Sequence, residues 1–196
     1  MNNEIIWPYY IWMYFDILKD VNKKYRKLIK LCGKENHRKI EKIYYEIMEG
    51  ITQIIPYGYE KKKLKLKSGE GILELIANDD QFIVQELENI LKKYNDELMS
   101  IKIIRNNVEH SPHRVVLCAQ VSGVGTSNIT LNYYKKGSNF NNINVNDLLC
   151  CHCSTDILKS IISDINVLFK KIRKKILADK IDDNLVRHYK KYRLKI

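Results

Sequence analysis

Acidic side chains are in short supply: 23 Asp and Glu stand against 34 Lys and Arg, a net charge of +11 over 196 residues. That imbalance favours polyanionic partners (RNA, DNA or an anionic membrane surface) and does not choose among them or bear on the fold. Lys, Ile, Asn and Tyr are all abundant, as AT-rich coding would make them, but the lysines are clustered, which argues that the excess is used. Long hydrophobic runs are also missing. The apolar opening at residues 5–15 is too short to span a bilayer and meets Asp16 and Lys19 at once. It reads as the start of a buried helix, with an interfacial anchor as the alternative. No secretory leader opens the chain, so the expectation is a cytoplasmic protein, without membrane attachment, whose five cysteines are reduced.

Several catalytic signatures are absent as well. The chain has no Gly-rich phosphate loop, dinucleotide fingerprint, nucleophile elbow, zinc-finger spacing or internal repeat. These absences set aside the chemistries that depend on them, and no cofactor is expected. The cluster Cys150-Cys151-His152-Cys153 invites a metal reading, because Cys150 and Cys153 would share a face of a helix. A closed zinc site needs four ligands, and neither a second CxxC nor an HxxxH supplies the others. Reduced cysteines packed in a helix interface are the favoured reading, with no metal site expected.

What is present is helical periodicity. The length and an apolar fraction of 45% suit one domain with a sizeable core. From Pro8, Tyr10, Tyr14, Ile17, Leu18, Val21, Tyr25, Leu28 and Leu31 recur at three- and four-residue steps toward Gly33. A second helix over about 35–55 carries Ile40, Ile43, Tyr44, Ile47, Ile51 and Ile54 and closes at Pro56 and Gly58. Residues 57–71 read as a basic loop containing Lys61, Lys62, Lys63, Lys65 and Lys67. A helical turn at 72–77 follows, and Asn78-Asp79-Asp80 offers an N-cap for a third long helix. Its stripe of Ile83, Leu87, Ile90, Leu91, Tyr94, Leu98 and Ile101 extends to Arg105 and Val108.

After Pro112 the period becomes two. Residues 115–121 and 129–134 read as the strands of a hairpin, and a fourth long helix is expected over about 145–178. The expected fold is mainly α: an antiparallel four-helix bundle with a β-hairpin, about 114–135, inserted between the third and fourth long helices. The domain would cover 1–178, leaving 179–196 as a basic C-terminal tail.

Chemistry concentrates at the end of the third helix. Asn106 and His110 are four residues apart and share a helical face; Arg105 and His110 are five apart, about 140° around an ideal helix. Pro112 disfavours helical geometry at Ser111, so the helix loosens after His110. Histidine titrates nearest neutrality and serves as acid or base, while arginine presents a permanent positive fork to a phosphate. Asn106 can orient the nucleophile or the imidazole. An arginine and a histidine beside a phosphodiester suffice for metal-independent RNA cleavage by the ribose 2′-OH. The competing reading is structural: Arg105 and Glu109, at i and i+4, form a surface ion pair, and His110 and His113 satisfy terminal carbonyls.

The run Ile104-Arg105-Asn106-Asn107-Val108-Glu109-His110 resembles the signature of the HEPN superfamily: an arginine, a polar residue, three further residues and a histidine. The Ser111-Pro112-His113 that follows is similar to members whose motif leads into an inserted hairpin. The likeness covers 103–113 residue by residue and about 5–178 at the level of helix order. It implies a metal-independent endoribonuclease whose site forms across a homodimer, in a toxin–antitoxin, abortive-infection or other defence system. On that likeness Arg105 binds phosphate, Asn106 assists and His110 is the acid/base; Glu109 and His113 are further candidates for auxiliary roles. Pro112 stands where some toxin members carry a tyrosine two residues after the histidine. Other members bind nucleic acids or nucleotides without cleaving, so the motif does not guarantee turnover; a module binding RNA or a nucleotide and a partner subunit in a defence complex are the alternatives to an enzyme.

Three basic segments, residues 61–67, 170–175 and 187–195, are candidates for a backbone-binding rim, with Lys61, Lys62, Lys63, Lys65, Lys67, Lys170, Lys171 and Arg173 as the candidate nucleic-acid contacts. Each taken alone also reads as a solvated face. Tyr57, Tyr59, Tyr133 and Tyr134 are candidates to stack exposed bases, with packing as the alternative for the second pair.

Overall fold

The structure is a computed structural model. It describes residues 11–31, 36–60, 63–76, 80–110, 115–122, 128–135, 151–178, 187 and 190. The chain is mainly helical. The elements are α1 (Trp12–Leu31), α2 (His37–Ile54), β1 (Tyr57–Glu60), β2 (Lys63–Leu66), α3 (Ile72–Ile76), α4 (Gln81–Lys93), α5 (Asn95–His110), β3 (Val115–Ser122), β4 (Asn128–Lys135), β5 (Cys151–Ser154) and α6 (Thr155–Ala178). Among the described residues no helix is long and apolar enough to cross a membrane. The chain divides into two compact units, the first comprising Met1–Asn22, Gly50–Lys93 and Ile161–Ile196, the second Lys23–Glu49 and Tyr94–Ser160.

In the first unit Ile11, just ahead of α1, and Phe15 and Leu18 in its opening turns are completely buried. The expected stripe ran through Ile17, which is only half-buried; Phe15 takes the central place and meets Phe169 of α6 edge-on, ring centroids 4.9 Å apart. Gly50 of α2 lies against Val21, leaving no room for a Cβ. Helices α4 and α6 run antiparallel, joined by Asp80–Lys175, Glu86–Lys171 at 2.9 Å and Lys93–Asp164 at 2.7 Å. Asp80 sits ahead of α4 as the expected cap, its carbonyl accepting from the amides of Ile83 at 3.1 Å and Val84 at 3.3 Å.

The supposed basic loop at 57–71 is in large part a hairpin. Strands β1 and β2 pair antiparallel from Tyr57↔Leu66 to Glu60↔Lys63. The reason is a period of two: Lys63 and Lys65 are exposed while Leu64 and Leu66 are half-buried, and β2 lies against α4. The turn that follows uses Gly69 and Gly71 at φ of 75° and 58°, a region that suits glycine.

In the second unit α2 buries Ile40, Ile43, Tyr44 and Ile47, and α5 buries Leu98, Ile101 and Ile104. Lys24 of α1 pairs with Glu46 of α2 at 3.2 Å. The phenol of Tyr25 donates to the carbonyl of Thr155 at 3.2 Å.

The third long helix is not continuous: α4 ends at Lys93 and α5 begins at Asn95. Asn95 Nδ2 donates to Asp96 Oδ1 at 3.0 Å, the kind of side-chain bonding that favours a new helix start over an unbroken interior.

The expected hairpin is present as β3 and β4, paired from Val115↔Lys135 to Ser122↔Asn128. A third strand, β5, joins it through Leu131↔Cys153 and occupies residues expected to be helical. Helix α6 therefore starts at Thr155, later than the periodicity suggested. Ser154 Oγ accepts the Ile157 amide at 3.2 Å, an N-cap that fixes this start. Strand β5 in turn contacts α5.

Candidate functional site

Helix α5 carries the candidate site at its C-terminal end. Ile101 and Ile104 are fully buried, and Arg105 follows one position round from that stripe. Its side chain is therefore held at the edge of the core, 28% exposed. The guanidinium is already engaged: Nη2 lies 3.1 Å from Glu109 Oε1 and 3.0 Å from Oε2. Nη1 points to Asn106 Oδ1 at 3.5 Å, a long contact. Nε is buried and has no hydrogen-bond partner among the described residues.

The structural alternative for Arg105 and Glu109 is thus physically present. It does not consume the arginine. Glu109 is 42% exposed, so the pair is a solvent-screened i,i+4 contact that an incoming phosphate can replace.

The backbone of His110 closes α5, where loosening ahead of Pro112 was expected. Its imidazole, all of His113, and Lys61 and Lys62 lie outside the described residues. Arg105, Asn106 and Glu109 are brought together.

Sequence reasoning missed Tyr45. It belongs to α2, next to the buried Tyr44, and is half-buried. Burial pushes its phenol above the usual tyrosine range; the negative charges of Glu49 and Glu109 push the same way, and Arg105 opposes them. Tyr45 therefore shares the electrostatic environment of the arginine and its glutamate. The only hint in the sequence was its place one residue off the apolar stripe, with Glu49 four residues on.

The basic candidates all fall in the first unit. Lys67 pairs with Glu70 at 3.0 Å. Lys171 pairs with Glu86 and lies over the ring of Phe82, 5.5 Å from its centroid. Arg173 donates to the carbonyl of Lys190 at 3.2 Å. Lys63, Lys65 and Lys170 are exposed.

Tyr57 is 1% exposed and is a core residue, not a base-stacking platform. The side chains of Tyr59, Tyr133 and Tyr134 lie outside the described residues. Cys151 and Cys153 are on a strand, so the helical i,i+3 juxtaposition that suggested a shared ligand set with Cys150 does not arise; Cys150 itself lies outside the described residues. Among the described residues no three His, Cys, Asp or Glu side chains are grouped to hold a metal ion. No protein-family model, curated protein or solved structure matches the chain.

Proposed function

We propose that the chain is a HEPN-like, metal-independent endoribonuclease, with Arg105 and His110 as its reactive pair. The carrying observation is the state of Arg105: a guanidinium held at the core edge and bound, among the described residues, to its exposed neighbour Glu109 and, loosely, to Asn106, at the helix end that His110 closes.

In this reading α1, α2, α4 with α5, and α6 are the four helices of a bundle. Two copies of α5 supply a shared cleft in a homodimer. A scissile phosphate displaces the Glu109 carboxylate from Arg105. The 2′-OH then loses its proton to His110 and attacks phosphorus, giving a 2′,3′-cyclic phosphate. The departing 5′-oxygen takes up a proton, which the partner copy's imidazolium can donate. Arg105 stabilises the added charge on the phosphorane.

RNA cleavage in EDTA by wild type, lost in both His110→Ala and Arg105→Ala with the fold intact, is the expected result. Equal cutting by His110→Ala would place the activity elsewhere. The second reading is a module that binds RNA or a nucleotide through the same residues and does not cut it. That reading requires salt-sensitive binding weakened by Arg105→Ala while the RNA stays whole.

A further inference from the structure

Helix α6 carries five cations in six positions, Lys170, Lys171, Arg173, Lys174 and Lys175, around the buried Ile172. The structure gives them different fates. Lys171 and Lys175 face α4 and meet Glu86 and Asp80. Arg173 is bound to the carbonyl of Lys190. Lys170 and Lys174 are exposed and, among the described residues, have no carboxylate partner.

Those two are also unrelieved along their own helix. They sit at i and i+4, and the positions three and four residues to either side are Asn166, Val167, Arg173 and Lys171, Leu177, Ala178, none of them acidic. Like charges at that spacing destabilise a helix by a few tenths of a kcal/mol. Acids are present in this part of the fold, where Asp80, Glu86 and Asp164 each meet a lysine between α4 and α6, so a local lack of acids does not explain the stripe. Complementing the helix dipole accounts for cations in the last turn, and Lys170 lies two turns before the end at Ala178.

We propose that Lys170 and Lys174 form a binding stripe for the phosphodiester backbone of single-stranded nucleic acid. Two ammonium groups on neighbouring turns of one helix face can each take a phosphate of an extended strand. A lipid surface is the weaker fit. Beside the stripe the exposed apolar side chain on α6 is Val167, too little to enter a bilayer interface. The proposal is independent of whether Arg105 and His110 cut RNA.

The test is equilibrium binding of the full chain to a fluorescein-labelled 20-mer, as RNA and as DNA of the same sequence, over a salt series in EDTA. His110→Ala serves as the background for every variant, so that cleavage does not intrude. Lys170→Ala/Lys174→Ala is expected to weaken binding about tenfold and to lower the salt slope by about 1.4, the value for two lost phosphate contacts on a single strand. The double variant Lys39→Ala/Lys42→Ala removes the same charge from α2 and is expected to change affinity less than twofold. Binding of either strand with this pattern supports the stripe, and the tighter strand names its source.

Lys170→Gln/Lys174→Gln removes the charge while keeping most of the side-chain bulk and helix propensity, and guards against a folding artefact. If it binds like the His110→Ala parent, the proposal fails. Equal losses in the α2 control would overturn it too, reducing the effect to net charge. So would tight binding to phosphatidylserine vesicles with no binding to either strand.

Discussion

Asn22 and Asn166 bind each other through reciprocal amide hydrogen bonds, each Nδ2 donating to the other's Oδ1 at 3.0 Å. Each amide also donates its second hydrogen to a carbonyl one turn back, Leu18 and Ile162 respectively, at 2.8 Å. Both side chains are buried in the first unit. This reciprocal pair in an apolar interface holds α1 and α6 in one register, since any slip leaves both Oδ1 atoms and one hydrogen of each amide buried without partners.

Asn22→Leu alone is therefore expected to destabilise by about 2–3 kcal/mol, because it leaves the Asn166 Oδ1 and one of its two amide hydrogens buried and unpaired. The double variant Asn22→Leu/Asn166→Leu should recover most of that loss. Urea denaturation of the two single variants and the double variant checks it. Additive losses would show that the two amides do not act as a unit.

Gly50 is in the last turns of α2, where alanine would ordinarily add about 1 kcal/mol of helix stability. An alanine Cβ would overlap Val21 Cγ2 of α1. Gly50→Ala is expected to lower stability by about 1–3 kcal/mol, the usual cost of overpacking. Gly50→Ala/Val21→Ala should be more stable than Val21→Ala, and thermal unfolding of the four proteins tests this reversal of sign.

Tyr45 provides a pH prediction. Its phenol is raised in the folded state, so between the ordinary tyrosine range near 10 and the folded value the unfolded chain loses this proton first. The associated stability is complete below about pH 10 and is lost as pH rises through the folded value. Tyr45→Phe should flatten that alkaline decline. In an absorbance titration of the phenols, Glu109→Gln should bring Tyr45 to lower pH and Arg105→Ala should take it higher, following the signs of their charges. No movement with either variant would separate Tyr45 from the site.

Glu109→Gln also tests the proposed function from the opposite side. It removes the carboxylate that competes with phosphate for Arg105, so RNA affinity should rise several-fold. Stability should change by no more than about 0.5 kcal/mol, as for an exposed helical ion pair. An unchanged affinity would mean that Arg105 does not meet the RNA.

What the sequence determined by itself was local. Steps of three and four placed α1, α2, α4 and α6, and a period of two placed β3 and β4, because each side chain's face follows from backbone geometry alone. The same logic shows why β1 and β2 were missed. Leu64 and Leu66 alternate with Lys63 and Lys65, but Lys61 and Lys62 between the strands carry none of the usual turn residues. Tertiary structure decided what depended on partners distant in the chain. Strand β5 forms where helical spacing had been read, because β4 offers it a ladder. The α6 lysines differ in role according to which of them meet Asp80 and Glu86 across the interface. Tyr45 and Arg105, 60 positions apart in the chain, come under one field only when α2 and α5 pack in the second unit. Periodicity specifies which face of a helix is buried; which charge waits on the other side is set by packing.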